Sequence, residues 1–372
     1  MKSVGILTFH ASHNYGSMLQ AYALQQTVLS MGYKCEIINF RTERQKQMFR
    51  PDYCSGNLIE RLKRLIVQFP HLKETWGKYK LFEKFLHEDL ILSEQEYSTI
   101  EELEYGNLKY DYYISGSDQI WNTDCFDFDI AYYLPFVHRG KLIAYAPSMG
   151  ATPESSKFID IDIASLLDRY DKISVREPRT AQFIRGKYNK EVITVIDPTL
   201  LLPINHWKSL IAAKPIIDGD YIFLYSPKFN SFENVYKLAE DISKRYGLKV
   251  ILSRNHKYLC DKKRWRQFSI KADIGPKEFL NLIKNARIVC CDSFHAVVFS
   301  IILQVPFLVM DGMNDSRISN LLEMVGLENR SIDSDNQSIN DLIFNQLSFK
   351  YLDKLQPYID SSLNFLRTSL SL

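Results

Sequence analysis

Cysteine is sparse and unpatterned in this chain of 372 residues. Its six cysteines, Cys35, Cys54, Cys125, Cys260, Cys290 and Cys291, include no C-x-x-C pair. That argues against a structural zinc site or a disulfide scaffold and fits a reducing compartment. Long hydrophobic runs are missing as well. The most apolar stretch, residues 296–310, is broken by Ser300, Gln304 and Pro306, and is too short to span a bilayer. Met1 to Leu7 runs directly into a strand, without the apolar core and small-residue cleavage site of a secretion signal. Excess charge of one sign is absent: a formal net charge of +2 argues against a nucleic-acid binder. There is no G-x-G-x-x-G fingerprint and no internal repeat. The expectation is a soluble, cytoplasmic protein. Its length suggests two domains, and 46% hydrophobic residues suffice for two cores.

What is present is a recurring strand-turn-helix rhythm. The stretch around which the chain is organised is Arg287 to Met310. The apolar run Ile288 to Cys291 reads as a buried strand, Asp292-Ser293-Phe294-His295 as a polar corner, Ala296 to Leu303 as a helix, and Pro306 to Met310 as the next strand. Such a unit belongs to a parallel sheet with helical crossovers. Ligands of open α/β sheets bind at the carboxyl ends of strands, where helix amides point at them. An acid, a hydroxyl and an imidazole in this corner suit a site. They equally suit a plain helix cap formed by Asp292 and Ser293.

The same rhythm opens the chain. Val4 to Phe9 is a strand, Ser17 to Met31 a helix, and Lys34 to Phe40 a strand, with His10 to Gly16 as the strand-end loop. Gly16 lets a backbone approach a ligand, and the helix amides after it favour an anion. Residues 41–89 read as a helical insertion, with eleven Lys and Arg against seven acids. Its face Leu58, Ile59, Leu62, Leu65, Ile66 and Phe69 has two readings, cover over a core or peripheral contact with anionic lipid. Further strands are expected at Tyr110 to Ile114, Lys141 to Ala146, Lys172 to Val175 and Val192 to Ile196. Their ends carry Ser115-Gly116-Ser117-Asp118, Ser148, Arg176-Glu177 and Asp197-Pro198-Thr199. Arg176 suits a surface ion pair with Glu177 or bidentate binding of a carboxylate or phosphate. Asp127-Phe128-Asp129 and Asp160-Ile161-Asp162 match a short D-x-D metal pattern that solvated turns also produce.

A linker is expected between Ala212 and Asp220. The domains are then 1–212, with the insertion, and 218–337, with 338–372 as a helical tail packing back on the first domain.

Five blocks, taken together, resemble the polysaccharide pyruvyl transferase family. They are Asn14-Tyr15-Gly16-Ser17 with Leu19 to Leu24, Gly116 to Asn122, Ser174-Val175-Arg176-Glu177, Asp197 to Leu200, and Asp292-Ser293-Phe294-His295. The resemblance implies an α/β fold of two Rossmann-like domains in a glycosyltransferase-B-like arrangement with the site in a cleft between them. It implies transfer of a pyruvyl group from phosphoenolpyruvate to two hydroxyls of a sugar or lipid-linked glycan, giving a cyclic ketal. No metal or redox cofactor is expected. His295 matches the family histidine that moves protons, and Arg176 the arginine that holds the donor. Their replacement by alanine is expected to abolish turnover with little loss of stability. The candidate substrate-binding residues are His10, Asn14, Tyr15, Gly16, Ser17, Ser115, Gly116, Ser117, Asp118, Trp121, Ser148, Asp292 and Ser293.

One departure stands out. The family pattern has an arginine two residues before the histidine, and this chain has Ser293. His10, Lys228, Arg254 and Arg317 are candidates to supply the missing contact. The competing expectations are a glycosyltransferase using a nucleotide sugar and a non-catalytic glycan- or nucleotide-binding protein. Peripheral contact at the inner face of the membrane would suit a lipid-linked acceptor.

Overall fold

The computed structural model describes residues 1–52, 72–150, 162–227, 232–253, 267–333, 344–345, 347 and 350–372. The chain divides into two compact units, Met1–Met48 with Lys84–Pro203 and Gln356–Leu372, and Phe49–Glu83 with Ile204–Leu355. This differs from the division read along the sequence. The boundary falls after Pro203 rather than Ala212, and much of the basic insertion belongs to the second unit. The physical reason near the boundary is Asn281. Its side chain, buried in the second unit, donates to the carbonyls of Ala212 and Lys214 and accepts from Ile216 N–H.

The first unit holds a seven-stranded sheet in the order β3-β2-β1-β4-β5-β6-β7. The strands are β1 Ser3–Leu7, β2 Lys34–Phe40, β3 Leu92–Tyr97, β4 Tyr112–Ser115, β5 Lys141–Ala144, β6 Lys172–Val175 and β7 Ile193–Thr194. All its pairings are parallel. In β1, Val4, Ile6 and Leu7 are fully buried, as a strand covered by helices on both faces requires. β5 ends at Ala144, two residues short of the expected span, because Ala146 turns into the left-handed region at φ 55°. β3 is an edge strand that the sequence reading did not anticipate.

Helix Tyr15–Ser30 follows β1 and is buried around most of its circumference, including Gln20 and Gln25. Gln25 is tolerated there because its amide pairs with both backbone groups of Ile91. The last helix, Gln356–Ser369, also belongs to this unit, with Phe365 against Tyr145 and Tyr33 donating to the Leu370 carbonyl.

The second unit holds a six-stranded parallel sheet in the order β10-β9-β8-β11-β12-β13. Its strands are β8 Tyr221–Tyr225, β9 Lys249–Leu252, β10 Ser269–Ile270, β11 Ile288–Cys291, β12 Phe307–Met310 and β13 Ser331–Ile332. The apolar runs of β11 and β12 are wholly buried. The helix between them spans Phe294–Leu303, two residues longer at its start than expected, because Ser293 and not a later residue caps it. The apolar face at Leu58 to Phe69 lies outside the described residues, as does Asp160-Ile161. Among the described residues no helix is long and apolar enough to cross a membrane.

Candidate functional site

Both sheets have the doubly wound order in which the chain reverses direction of travel beside its first strand. In the first unit that switch point lies between β1 and β4, and in the second between β8 and β11. Ligands of such sheets bind outside the carboxyl ends of the strands at the switch. The polar residues gather there in each unit.

In the first unit, Thr8 follows β1. Its hydroxyl donates to the Ser117 carbonyl at 2.9 Å and accepts from Gln20 Nε2 at 2.9 Å. Gly116 sits between them with no room for a side chain: a Cβ there would lie 2.8 Å from Thr8 Cβ. Ser17 Oγ donates to Asp118 Oδ2 at 2.5 Å, and the Asp118 carbonyl accepts from Ser148 N–H at 2.8 Å. Asp118 holds a left-handed backbone, φ 72°, unusual for a residue other than glycine. Asn14 caps the following helix, its Oδ1 accepting from Gly16 N–H at 2.9 Å and Ser17 N–H at 3.4 Å. The amides expected to meet an anion are therefore engaged by the cap.

Arg176, just past β6, is 4% exposed. Its Nε donates to Glu177 Oε1 at 2.7 Å and its Nη1 to Asp197 Oδ2 at 2.8 Å. Burial opposes its charge, but Glu177, Asp197 and then Asp118 outweigh that and raise its pKa above the ordinary arginine value. The expected pairing with Glu177 is present, yet in the interior and not on the surface. The Asp197 carboxylate is oriented by its own turn, Oδ1 accepting from Thr199 N–H and Oγ1.

Other expected residues face elsewhere. Ser115 and Trp121 turn into the core: Trp121 Nε1 donates to Ser115 Oγ, which donates to the Tyr132 carbonyl, and the indole stacks on Tyr133 at 4.8 Å. His10 is buried, with Nδ1 3.1 Å from the Thr8 carbonyl and Nε2 3.0 Å from Asn39 Oδ1. Burial lowers its pKa despite those two contacts. Tyr15 is buried in the first turn of its helix. Ser148 Oγ accepts from Gly150 N–H. The two acids of the D-x-D pattern at 127–129 serve separate partners. Asp127 Oδ2 accepts from Ser12 Oγ and Gln45 Nε2, and Asp129 caps the turn Ile130–Tyr133.

In the second unit, Ser226 follows β8 and Asp292 follows β11. Ser226 Oγ donates to Asp292 Oδ2 at 2.7 Å, joining the two strand ends at the switch. Asp292 is fully buried. Ser293 is the N-cap, its Oγ accepting from Ala296 N–H at 3.5 Å. His295 stands in the first turn, half-buried, its ring edge-on to Phe294 with centroids 5.1 Å apart. Of the residues considered as substitutes for the missing arginine, Lys228 and Arg254 lie outside the described residues. Arg317 forms a two-point pair with Asp315, at 3.0 and 2.7 Å.

The structure thus brings together Ser17, Ser117, Asp118 and Ser148 with Thr8 and Gln20, and joins Asp292 to Ser226. Ser226, Thr8, Gln20 and the charge partner Asp197 were not singled out as site residues from sequence. The available signals were the Ser226-Pro227 step directly after a strand and the Asp197-Pro198-Thr199 turn.

Solved structures share this two-sheet fold across the whole chain. MnaA of S. aureus, solved with UDP, is 14% identical, with a TM-score of 0.59 over 100% of this chain and 98% of that one. The UDP-GlcNAc 2-epimerase of Neisseria meningitidis is 12% identical, with a TM-score of 0.56 over 100% and 99%. The enzyme of the same description from Rickettsia bellii is 11% identical, with a TM-score of 0.51 over 99% and 96%. These likenesses define the class of fold as α/β of the glycosyltransferase-B type. Among curated proteins, none matches this sequence. The model of one family, described as polysaccharide pyruvyl transferase, matches residues 14–312. The chain belongs to the polysaccharide pyruvyl transferase family, which is a family of enzymes.

Proposed function

We propose that the protein transfers a pyruvyl group from phosphoenolpyruvate to two hydroxyls of one sugar, on a free or lipid-linked glycan, during polysaccharide synthesis. The observation that carries this reading is family membership over residues 14–312, a span that takes in Asp118, Arg176, Asp197, Asp292 and His295. In the reaction one sugar hydroxyl adds to the enol carbon while the methylene carbon gains a proton. The second hydroxyl then displaces phosphate at the same carbon and gives up its proton. The products are the cyclic ketal and inorganic phosphate.

Such chemistry needs a group that gives and takes protons near neutral pH, and the half-buried imidazole of His295 suits both tasks. Arg176 is the arginine assigned to the donor end. Its charge is met by Glu177 and Asp197, so those carboxylates determine how the guanidinium is presented. The sparse cysteines, with no C-x-x-C pair, fit work in a reducing compartment such as the cytoplasm.

The test is phosphate release from phosphoenolpyruvate that depends on an added sugar acceptor, with the ketal read by mass spectrometry. His295→Gln should lower kcat by about a hundredfold or more. A ligand that binds the folded state raises stability by about 2.7 kcal/mol at a hundredfold excess over its Kd. Stabilisation by nucleotide sugars alone, with no effect of phosphoenolpyruvate, would overturn the donor.

A further inference from the structure

The family match ends at residue 312, yet the first unit is completed by the last helix, Gln356–Ser369. One residue of that helix reaches the turn that holds Arg176. Ser362 is 1% exposed, and its Oγ accepts from Ile196 N–H at 3.1 Å. On the other side of Ile196, the carbonyl accepts from Tyr145 OH at 3.1 Å. Phe365, one turn along the same helix, packs on the Tyr145 ring with centroids 6.3 Å apart. Both backbone polar groups of Ile196 are thus fixed by two buried side chains.

Ile196 immediately precedes Asp197. With the backbone held there, and Asp197 Oδ1 bound by Thr199 N–H and Oγ1, Oδ2 is left directed at Arg176 Nη1. The path from the last helix to the guanidinium is two hydrogen bonds between buried groups, Ser362 to Ile196 and Asp197 to Arg176, joined by the peptide link between Ile196 and Asp197. We propose that Ser362, with Tyr145, is a positioning residue for Arg176. It fixes the Asp197 turn and so the orientation in which the guanidinium is presented. The chain's final helix is therefore part of the donor-site machinery and not only a cover on the first sheet. This rests on the reading of Arg176 as a donor-binding residue.

Ser369 provides the control. It lies on the same helix, is fully buried, and its hydroxyl makes no hydrogen bond among the described residues. Ser362→Ala should weaken phosphoenolpyruvate binding by about fivefold or more, the equivalent of one hydrogen bond. It should raise KM for that donor more than it lowers kcat. Ser362→Thr should restore much of the affinity, and Ser369→Ala should leave it unchanged. An equal loss in Ser362→Ala and Ser369→Ala would mean a general effect of the helix, and no loss in either would mean no role; both results overturn the proposal.

A second measurement needs no ligand. Hydrogen exchange at the Arg176 Nη protons, one of which Asp197 holds, followed in a nitrogen-15 spectrum and assigned with Arg176→Lys, should speed up in Ser362→Ala and not in Ser369→Ala. Unchanged exchange in Ser362→Ala overturns the positioning role. Failure of the wild type to bind phosphoenolpyruvate, beside faster exchange in Ser362→Ala, would sink the donor reading and leave the coupling standing.

Discussion

Ser226 donates a hydrogen bond of 2.7 Å to Asp292, across 66 residues of sequence, and so joins the two strands that flank the switch point of the second sheet. Asp292 is fully buried and lies one residue before the cap of helix Phe294–Leu303, where a helix N-terminus favours a negative charge. Ser226→Ala should cost about 1–3 kcal/mol, the range for leaving a buried acceptor without its donor. Urea unfolding of the single and double variants checks it. In an Asp292→Asn background the same serine replacement should cost a different amount, and that difference is the coupling energy of the pair.

Arg176 bears on how its role can be read from mutants. The sequence alone led to the expectation that alanine would remove activity without removing stability. The buried guanidinium between Glu177 and Asp197 overturns that expectation. Arg176→Ala leaves two carboxylates in the interior without their cation, a change that costs about 3–5 kcal/mol. The variant should melt early and unfold at lower urea. Adding Asp197→Asn should recover part of the loss, since one of the stranded charges is gone. A double-mutant cycle on the purified proteins reads that recovery as a coupling energy.

The contrast with the sequence reading has a physical basis. β8, β11 and β12 were legible because buried parallel strands are continuous apolar runs. β3, Leu-Ser-Glu-Gln-Glu-Tyr, was not, because an edge strand can expose its middle residues. The polar corners at Ser115–Asp118 and Asp292–His295 were legible as strand ends followed by turns. What they touch was not. The partner of Asp292 depends on β8 lying beside β11, and the second carboxylate on Arg176 arrives from 21 residues away through the pairing of β6 with β7. Ser115 and Trp121 show the converse: a site-like run in the sequence divides between the strand end and the core, because the turn after β4 brings the Trp121 indole back onto Ser115 and Tyr133.

His10 makes stability depend on pH in a definite direction. Burial holds its pKa below the ordinary 6.5, against the opposing pull of Asn39 and Thr8. A histidine with a depressed folded pKa binds its proton more readily in the unfolded chain. Its neutral form therefore supports the fold above about pH 6.5, and the support is lost as pH falls from there through the folded pKa. His206, also lowered by burial, acts in the same sense. Melting temperature should decline on acidification from pH 7 toward 5. His10→Gln should show a flatter limb over that window, and an unchanged slope would place the titration elsewhere.

Asp127 gives a prediction of opposite sign and also decides what its D-x-D pattern is for. Its carboxyl is raised above the ordinary aspartate value by burial first, with Asp118 adding to the rise and Ser12, Gln45 and Arg44 opposing it. An acid whose folded pKa is raised favours the fold while protonated, and that advantage is lost as pH rises through the folded pKa. At neutral pH the charge is thus a cost, and Asp127→Asn should be at least as stable as the wild type. An amide oxygen still accepts from Ser12. The difference should shrink on acidification, as the wild-type carboxyl takes up its proton. If the two acids instead held a divalent cation, the asparagine variant would lose a stabilisation by added magnesium or manganese that the wild type shows. With Asp127 bound to Ser12 and Gln45, and Asp129 bound to Ala131 N–H, equal responses of both proteins to those cations are expected.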